Sequence, residues 1–198
     1  MDPTDPKQML HHYLRTAREA LLWKLEGLSE YDVRRPLTPT GTNLLGLVKH
    51  LAVVELGYFG DTFGRPHGET FAWDDDGGFD AANADMYASA DETREDILGL
   101  HARATAHADA TIEALALSDE GRVPWWPDDV NPVTLEWILV HMIAETNRHA
   151  GHADILREGL DGGVGHREGV SNLPEGDAAW WAAHVERVET AAQVASTA

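Results

Sequence analysis

Residues 134–162 read TLEWILVHMIAETNRHAGHADILREGLDG, and the apolar period within them decides the fold. Leu135, Ile138, Met142, Glu145, His149, His152 and Leu156 follow one another at alternating steps of three and four. That spacing is the seam of a helix packed lengthwise against others in a bundle. Asn131–Pro132, or Thr134 slightly later, opens this helix and Gly159 closes it. The seam is unusual in its chemistry, because Glu145, His149 and His152 put ionisable groups where a bundle buries apolar ones.

Working outward, most of the remaining chain keeps a helical period. A first helix is expected from Pro6 to Leu28, with Leu10, Leu14, Ala17, Leu21 and Leu25 inward and Asp5–Pro6 as cap and first turn. The segment DVRRPLTPTGT breaks the period with prolines and a glycine and reads as a connector. A second helix runs from about Asn43 to Phe63, its inward stripe being Leu47, His50/Leu51, Val54 and Tyr58. From Gly64 to Tyr87 no period is sustained. Such a length exceeds an ordinary connection, so this stretch is expected to roof a site. Ser89 and Glu92 form an S-x-x-E box at the head of a third helix reaching Leu117, with Ile97, Leu100, Ala104, Ala108 and Ile112 inward. The connector SDEGRVPWWPDDVNP then leads into the fourth helix. After the glycine-rich DGGVGHREGVSNLPEGD, a short helix from Glu175 to Val194 presents Trp180, His184 and Val188. The predicted fold is all-α: a four-helix bundle with long connecting loops and a short additional C-terminal helix. Residues 1–160 form the bundle, and residues 161–198 form a tail packed on it or on a partner subunit.

Composition narrows the function. The chain has 198 residues, one domain's worth, and a formal net charge of −19. An acidic surface without a basic patch repels phosphate backbones and anionic lipid, so neither nucleic acid nor membrane is expected as a partner. There is no cysteine, so disulfides, zinc–cysteine sites and a protein thiolate nucleophile are excluded. The N-terminal MDPTDPKQMLHH lacks the basic and apolar regions of a signal peptide, and a cytoplasmic location is expected.

The seam carries the chemistry. Glu145 and His149 lie four apart, one above the other, and can grasp one cation from a single helix. His50, inward on the second helix, can close the set from across the core. Two histidines and a carboxylate leave coordination positions open, the pattern of a catalytic rather than a structural site. The alternative is a buried polar network in which Glu145 pairs with a core histidine or an arginine and holds no metal. His152 shares the face of His149 broadly and is the best placed of the other histidines to touch the site and move protons there. His107 and His141 are candidates for supporting roles, whereas His11, His12, His67 and His166 receive none. Trp73, Trp125 and Trp126 either plug the bundle ends or line an aromatic entrance. WDDDGG lacks the ligand spacing of an EF-hand and reads as a solvated turn.

The histidine in LVKHL and the pair in ETNRHAGH together resemble the DinB-like superfamily of metal-binding four-helix bundles. The resemblance covers residues 6–160. Within the superfamily the chain is similar to the actinobacterial branch akin to the N-terminal domain of mycothiol-dependent maleylpyruvate isomerase. It implies a divalent metal, zinc first and nickel second, held by His50, Glu145 and His149. It also implies a low-molecular-weight thiol such as mycothiol as cosubstrate, S-transfer to an electrophile as the reaction, and a homodimer. The isomerase has a further C-terminal domain that these residues do not supply, so maleylpyruvate isomerisation itself is not expected. Metal-dependent hydrolysis and a non-catalytic, dimeric metal-binding role in stress response are the competing readings.

Overall fold

Each long helix begins at a side chain that takes up its free amide groups. In a computed structural model, which describes residues 2, 4–71 and 83–197, α1 (Pro6–Trp23) starts after Asp5, whose carboxylate accepts from the Lys7 and Gln8 amides. Asn43 does the same for α3 (Leu44–Phe59), Thr93 for α4 (Arg94–Ala114) and Thr134 for α5 (Leu135–Asp161). These four helices make the bundle. A short α2 (Glu30–Arg34) and a C-terminal α6 (Ala178–Ser196) complete the helices, and the two-residue strands β1 (Glu120–Gly121) and β2 (Val133–Thr134) pair antiparallel between α4 and α5.

The core shows how the helices run. At one end Leu14, Phe59, Ile112, Leu135 and Met142 pack together; at the other, Leu21, Leu44, Leu47, Ile97 and Ala153. Hence α1 and α5 run one way, and α3 and α4 the other. Parallel neighbours cannot be joined by a hairpin. After the 16 residues of α3 the chain must therefore travel back along roughly 24 Å of helix before α4 can begin. The long irregular stretch predicted as a roof is in its described parts this crossover. Trp73 and the acidic run beside it lie outside the described residues.

Several boundaries differ from the expectation, each for a physical reason. α1 stops at Trp23, not Leu28, because the chain turns through Gly27 at φ 74°, while Lys24 turns inward to pair with Asp154 and to donate to the Gly165 carbonyl. The connector after it holds α2, capped by Ser29 and anchored by buried Val33, a helix too short to show a period. Ser89 does not head α4. Its amide does donate to Glu92, but Lys49 also claims that carboxylate at 2.8 Å, and the working capping box is Thr93 with Asp96. α3 ends at Phe59, four residues early, in a short 3-10 turn, and α6 starts at Ala178 behind the Asp177 cap. None of the residues of α6 is buried.

One ion pair crosses the middle of the bundle. Arg18 grips Glu55 with both arms of its guanidinium, at 2.7 and 2.8 Å, and donates to Asp109 at 2.7 Å. Burial works against the Arg18 charge, but Glu55 and then Asp109 more than offset it and hold the guanidinium above its ordinary value. No helix among the described residues is long and apolar enough to cross a membrane.

Candidate metal centre

The three residues read from the seam and from the second helix come together. His50 projects from α3 and Glu145 and His149 from α5, with one ligand atom from each lying within 4.8 Å of the others. His149 Nε2 is 2.9 Å from Glu145 Oε1, and His50 Nε2 is 3.6 Å from that same oxygen. The imidazoles of His50 and His149 meet edge to face, their centres 4.9 Å apart. Donors at about 2.0–2.1 Å from a tetrahedral ion stand about 3.3 Å from one another, and the two measured separations bracket that value. Two imidazole nitrogens and one carboxylate oxygen are also a donor set that zinc and nickel accept. The residues fit a divalent ion.

A fourth residue, which the sequence did not disclose, completes the arrangement. Asp85 Oδ2 lies 2.6 Å from His50 Nδ1, so the carboxylate fixes that nitrogen as the protonated one and leaves Nε2 free toward Glu145. Asp85 is 35 residues from His50 and reaches it because the crossover is pinned to α3. Asn43 donates to the Met86 carbonyl at 3.2 Å, and Lys49 Nζ to the carbonyls of Ala84 at 2.9 Å and Tyr87 at 3.1 Å. Gly46 permits the approach: a Cβ there would sit 1.8 Å from the Met86 carbonyl oxygen. Asn43, Gly46, Lys49 and His50 thus occupy one stretch of α3 whose common task is to seat the crossover.

The electrostatics follow from this packing. Burial opposes a charge on His50, yet the hydrogen bond and charge of Asp85, with Glu145 behind them, raise its pKa above the ordinary histidine value. His149 moves the other way, depressed by burial and then by the neighbouring His50. Glu145 is pushed up by burial but pulled further down by His149 and His50, and so stays ionised. An anionic carboxylate between two imidazoles with unlike proton affinities is a site prepared for a cation.

The other candidates fall into place around it. His152 is exposed, with Nδ1 3.3 Å from His149 Nδ1. It stands on the side of His149 away from Glu145. His141, one turn before Glu145, packs edge-on to Trp126 at 5.2 Å and against Tyr58 at 4.7 Å, and burial depresses its pKa. Tyr58 also meets Trp125, whose indole lies over Gly57, where a Cβ would come within 2.7 Å of the ring. The tryptophan pair therefore forms an aromatic wall one turn from the cluster, with Val54 and buried Met142 at its foot. His107 is turned elsewhere, toward the Arg65 carbonyl at 3.0 Å.

A model of the mycothiol-S-transferase family matches residues 9–162, which contain α3, α4 and α5 whole, α1 from Met9 onward and every residue of this cluster. The chain belongs to that family. The DinB-like bundle read from LVKHL and ETNRHAGH is the same region, and a His–Glu–His cluster able to coordinate a divalent ion lies inside it. Among curated proteins none matches the chain.

Proposed function

We propose that this protein is a divalent-metal-dependent S-transferase that activates a low-molecular-weight thiol of the mycothiol kind and passes it to an electrophile. The observation that carries the reading is the convergence of His50, Glu145 and His149, backed by Asp85, inside the residues that match the mycothiol-S-transferase family. A bound zinc or nickel ion supplies Lewis acidity, which lowers a thiol's pKa and so provides the nucleophile a cysteine-free chain lacks.

The chain's residues do the rest. His50, Glu145 and His149 would hold the ion, and Asp85 keeps His50 in the tautomer that presents Nε2. With His149 engaged through Nε2, its Nδ1 would carry the proton and donate to exposed His152 at 3.3 Å, so that His152 would orient the His149 ring. The wall of Tyr58, Trp126 and His141 offers an apolar face on which the electrophile is oriented. A homodimer with α6 in the contact belongs to the same proposal. It is supported by the apolar side chains α6 leaves in water, among them Val185 at 62% and Val188 at 57% exposure.

Cobalt-substituted protein tests the reading directly. Thiol binding is expected to give a sulfur-to-metal charge-transfer band that is lost in Glu145→Gln and His149→Ala, together with thiol consumption when an electrophile is added. A spectrum unchanged by millimolar mycothiol and simple thiols would refute it in favour of hydrolysis or metal binding alone.

A further inference from the structure

α5 carries a second seam, turned away from the bundle. Trp137, Val140, Ala144, Gly151 and Ile155 all lie exposed on its outer side, Ile155 at 71% and Val140 at 51%. Their spacing keeps them on one helix face, interrupted at Asn147 and Arg148. Single exposed apolar residues are ordinary, but a stripe of them along one face marks a contact surface. Glu145 and His149 turn instead toward His50 on α3, so a partner on the outer side leaves the metal cluster uncovered.

The same chain holds a helix that lacks a place to pack. α6 is 19 residues long, starts at the Asp177 cap and buries none of its residues. On it Trp181, His184, Val188, Ala191 and Ala195 form a seam at alternating steps of three and four, with Glu186 on the opposite side. A helix of this length is marginal in water by itself and owes its stability to packing of its apolar face.

The two seams match in length, shape and charge. Each extends over roughly 28 Å. Laid antiparallel so that α6 covers the stripe end to end, Trp181 comes over Gly151, where a Cβ would meet nothing within 4 Å. Val188 then lies over Ala144 and Ala195 over Trp137, so large residues meet small ones. Charge selects the direction. With the helices parallel, their handedness brings Arg187 to the edge that carries Arg148; antiparallel, Glu189 falls on the Arg148 edge and Arg187 on the other, beside Asn147.

We propose that α6 docks on the outer face of α5 of a second copy, each subunit lending its arm to the other across a two-fold axis. The inference rests on the homodimer of the proposed function and adds the face that receives α6. Two exchanged contacts cover four helix faces of roughly 28 Å by 10 Å, about 1,100 Å² in all, and a specific interface should clear roughly 1,000 Å². The tail permits the exchange. Lys24 holds it at the Gly165 carbonyl, and from there to Asp177 the chain can extend over roughly 40 Å.

A chain without cysteine makes disulfide trapping unambiguous. Full-length Ala144→Cys and Val188→Cys proteins are mixed, left to exchange subunits and oxidised with diamide. A disulfide-linked dimer is expected in the mixture, and far less of it in either variant alone. Gly151→Gln fills the notch that receives Trp181 and spares α5, because the site is open and glutamine favours a helix more than glycine does. In sedimentation it should raise the dimer dissociation constant at least about tenfold, as should Trp181→Ala, and the double variant should be little worse than either. An intrachain disulfide in the Ala144→Cys/Val188→Cys double variant, in place of an interchain one, would put α6 on its own α5 and overturn the proposal. A dimer that neither crosslinks nor responds to Gly151→Gln would overturn it too, because another face then makes the contact. A monomer in sedimentation would remove the homodimer along with it. The S-transferase reading stands or falls separately, on the cobalt–thiol band.

Discussion

Gly46→Ala tests how the metal centre is supported without touching any of its ligands. The new Cβ would lie 1.8 Å from the Met86 carbonyl oxygen, against a tolerable contact of about 3.4 Å, so the crossover must retreat by roughly 1.5 Å. Asp85 is the adjoining residue, and its bond to His50 is 2.6 Å long. A retreat of that size carries it beyond hydrogen-bond reach. Losing the carboxylate that orients a metal-binding histidine typically costs about 10–100-fold in metal affinity, or about 1.4–2.7 kcal/mol. The assay is a competitive zinc titration against a chromophoric chelator, run on wild type, Gly46→Ala, Asp85→Asn and the double variant. If Gly46 acts through Asp85, both single variants weaken binding and the double variant is hardly worse than Asp85→Asn. Gly99→Ala is the control, because a Cβ there meets only the flexible end of Arg103 at 3.3 Å. Wild-type zinc affinity in Gly46→Ala, or fully additive losses, would refute the reasoning.

Three further outcomes follow from the same structure. Glu145→Gln keeps the shape but loses the charge that offsets a cation, so calorimetry should show weaker zinc binding; equal affinity would make Glu145 a member of a buried polar network. His101, depressed from 6.5 to about 4, contributes stability that is complete above pH 6.5 and lost as pH falls through 6.5 toward 4, about 3 kcal/mol in all. Urea unfolding of wild type and His101→Phe should therefore converge or cross over that window, while the opposite contribution of the raised His50 is common to both; parallel curves would contradict it. Arg18→Met strands a buried Glu55 carboxylate and should cost about 3–5 kcal/mol in urea unfolding, much of it recovered in Arg18→Met/Glu55→Met.

The seam of α5 shows where periodic reading holds and where it drifts. Alternating steps of three and four average 3.5 residues, whereas a helix turns once in 3.6, so the two diverge along 27 residues. Early positions agree: Leu135, Ile138 and Met142 are buried. Later the buried stripe moves on to Thr146, His149, Ala150, Ala153 and Arg157, leaving Glu145 at its edge and His152 in water. The drift serves the site. Glu145 stays ionised there, where the centre of a core would neutralise it.

Local pattern, by itself, determined the four long helices, the bundle they form and the three residues of the cluster. Helix period and i, i+4 spacing depend only on neighbours along the chain, and His50 was the one imidazole on the inward stripe of its helix. Asp85, Gly46 and Lys49 could not be seen that way. Their meaning depends on a crossover that returns along the bundle because α3 and α4 run parallel, and nothing within either helix states that direction. Arg18, too, acquires its partners only where α1 lies beside Glu55 and Asp109. Sequence fixes what a segment can become through short-range sterics and patterning. Which distant carboxylate reaches an imidazole or a guanidinium depends on packing across the whole chain, and there the tertiary structure alone decides.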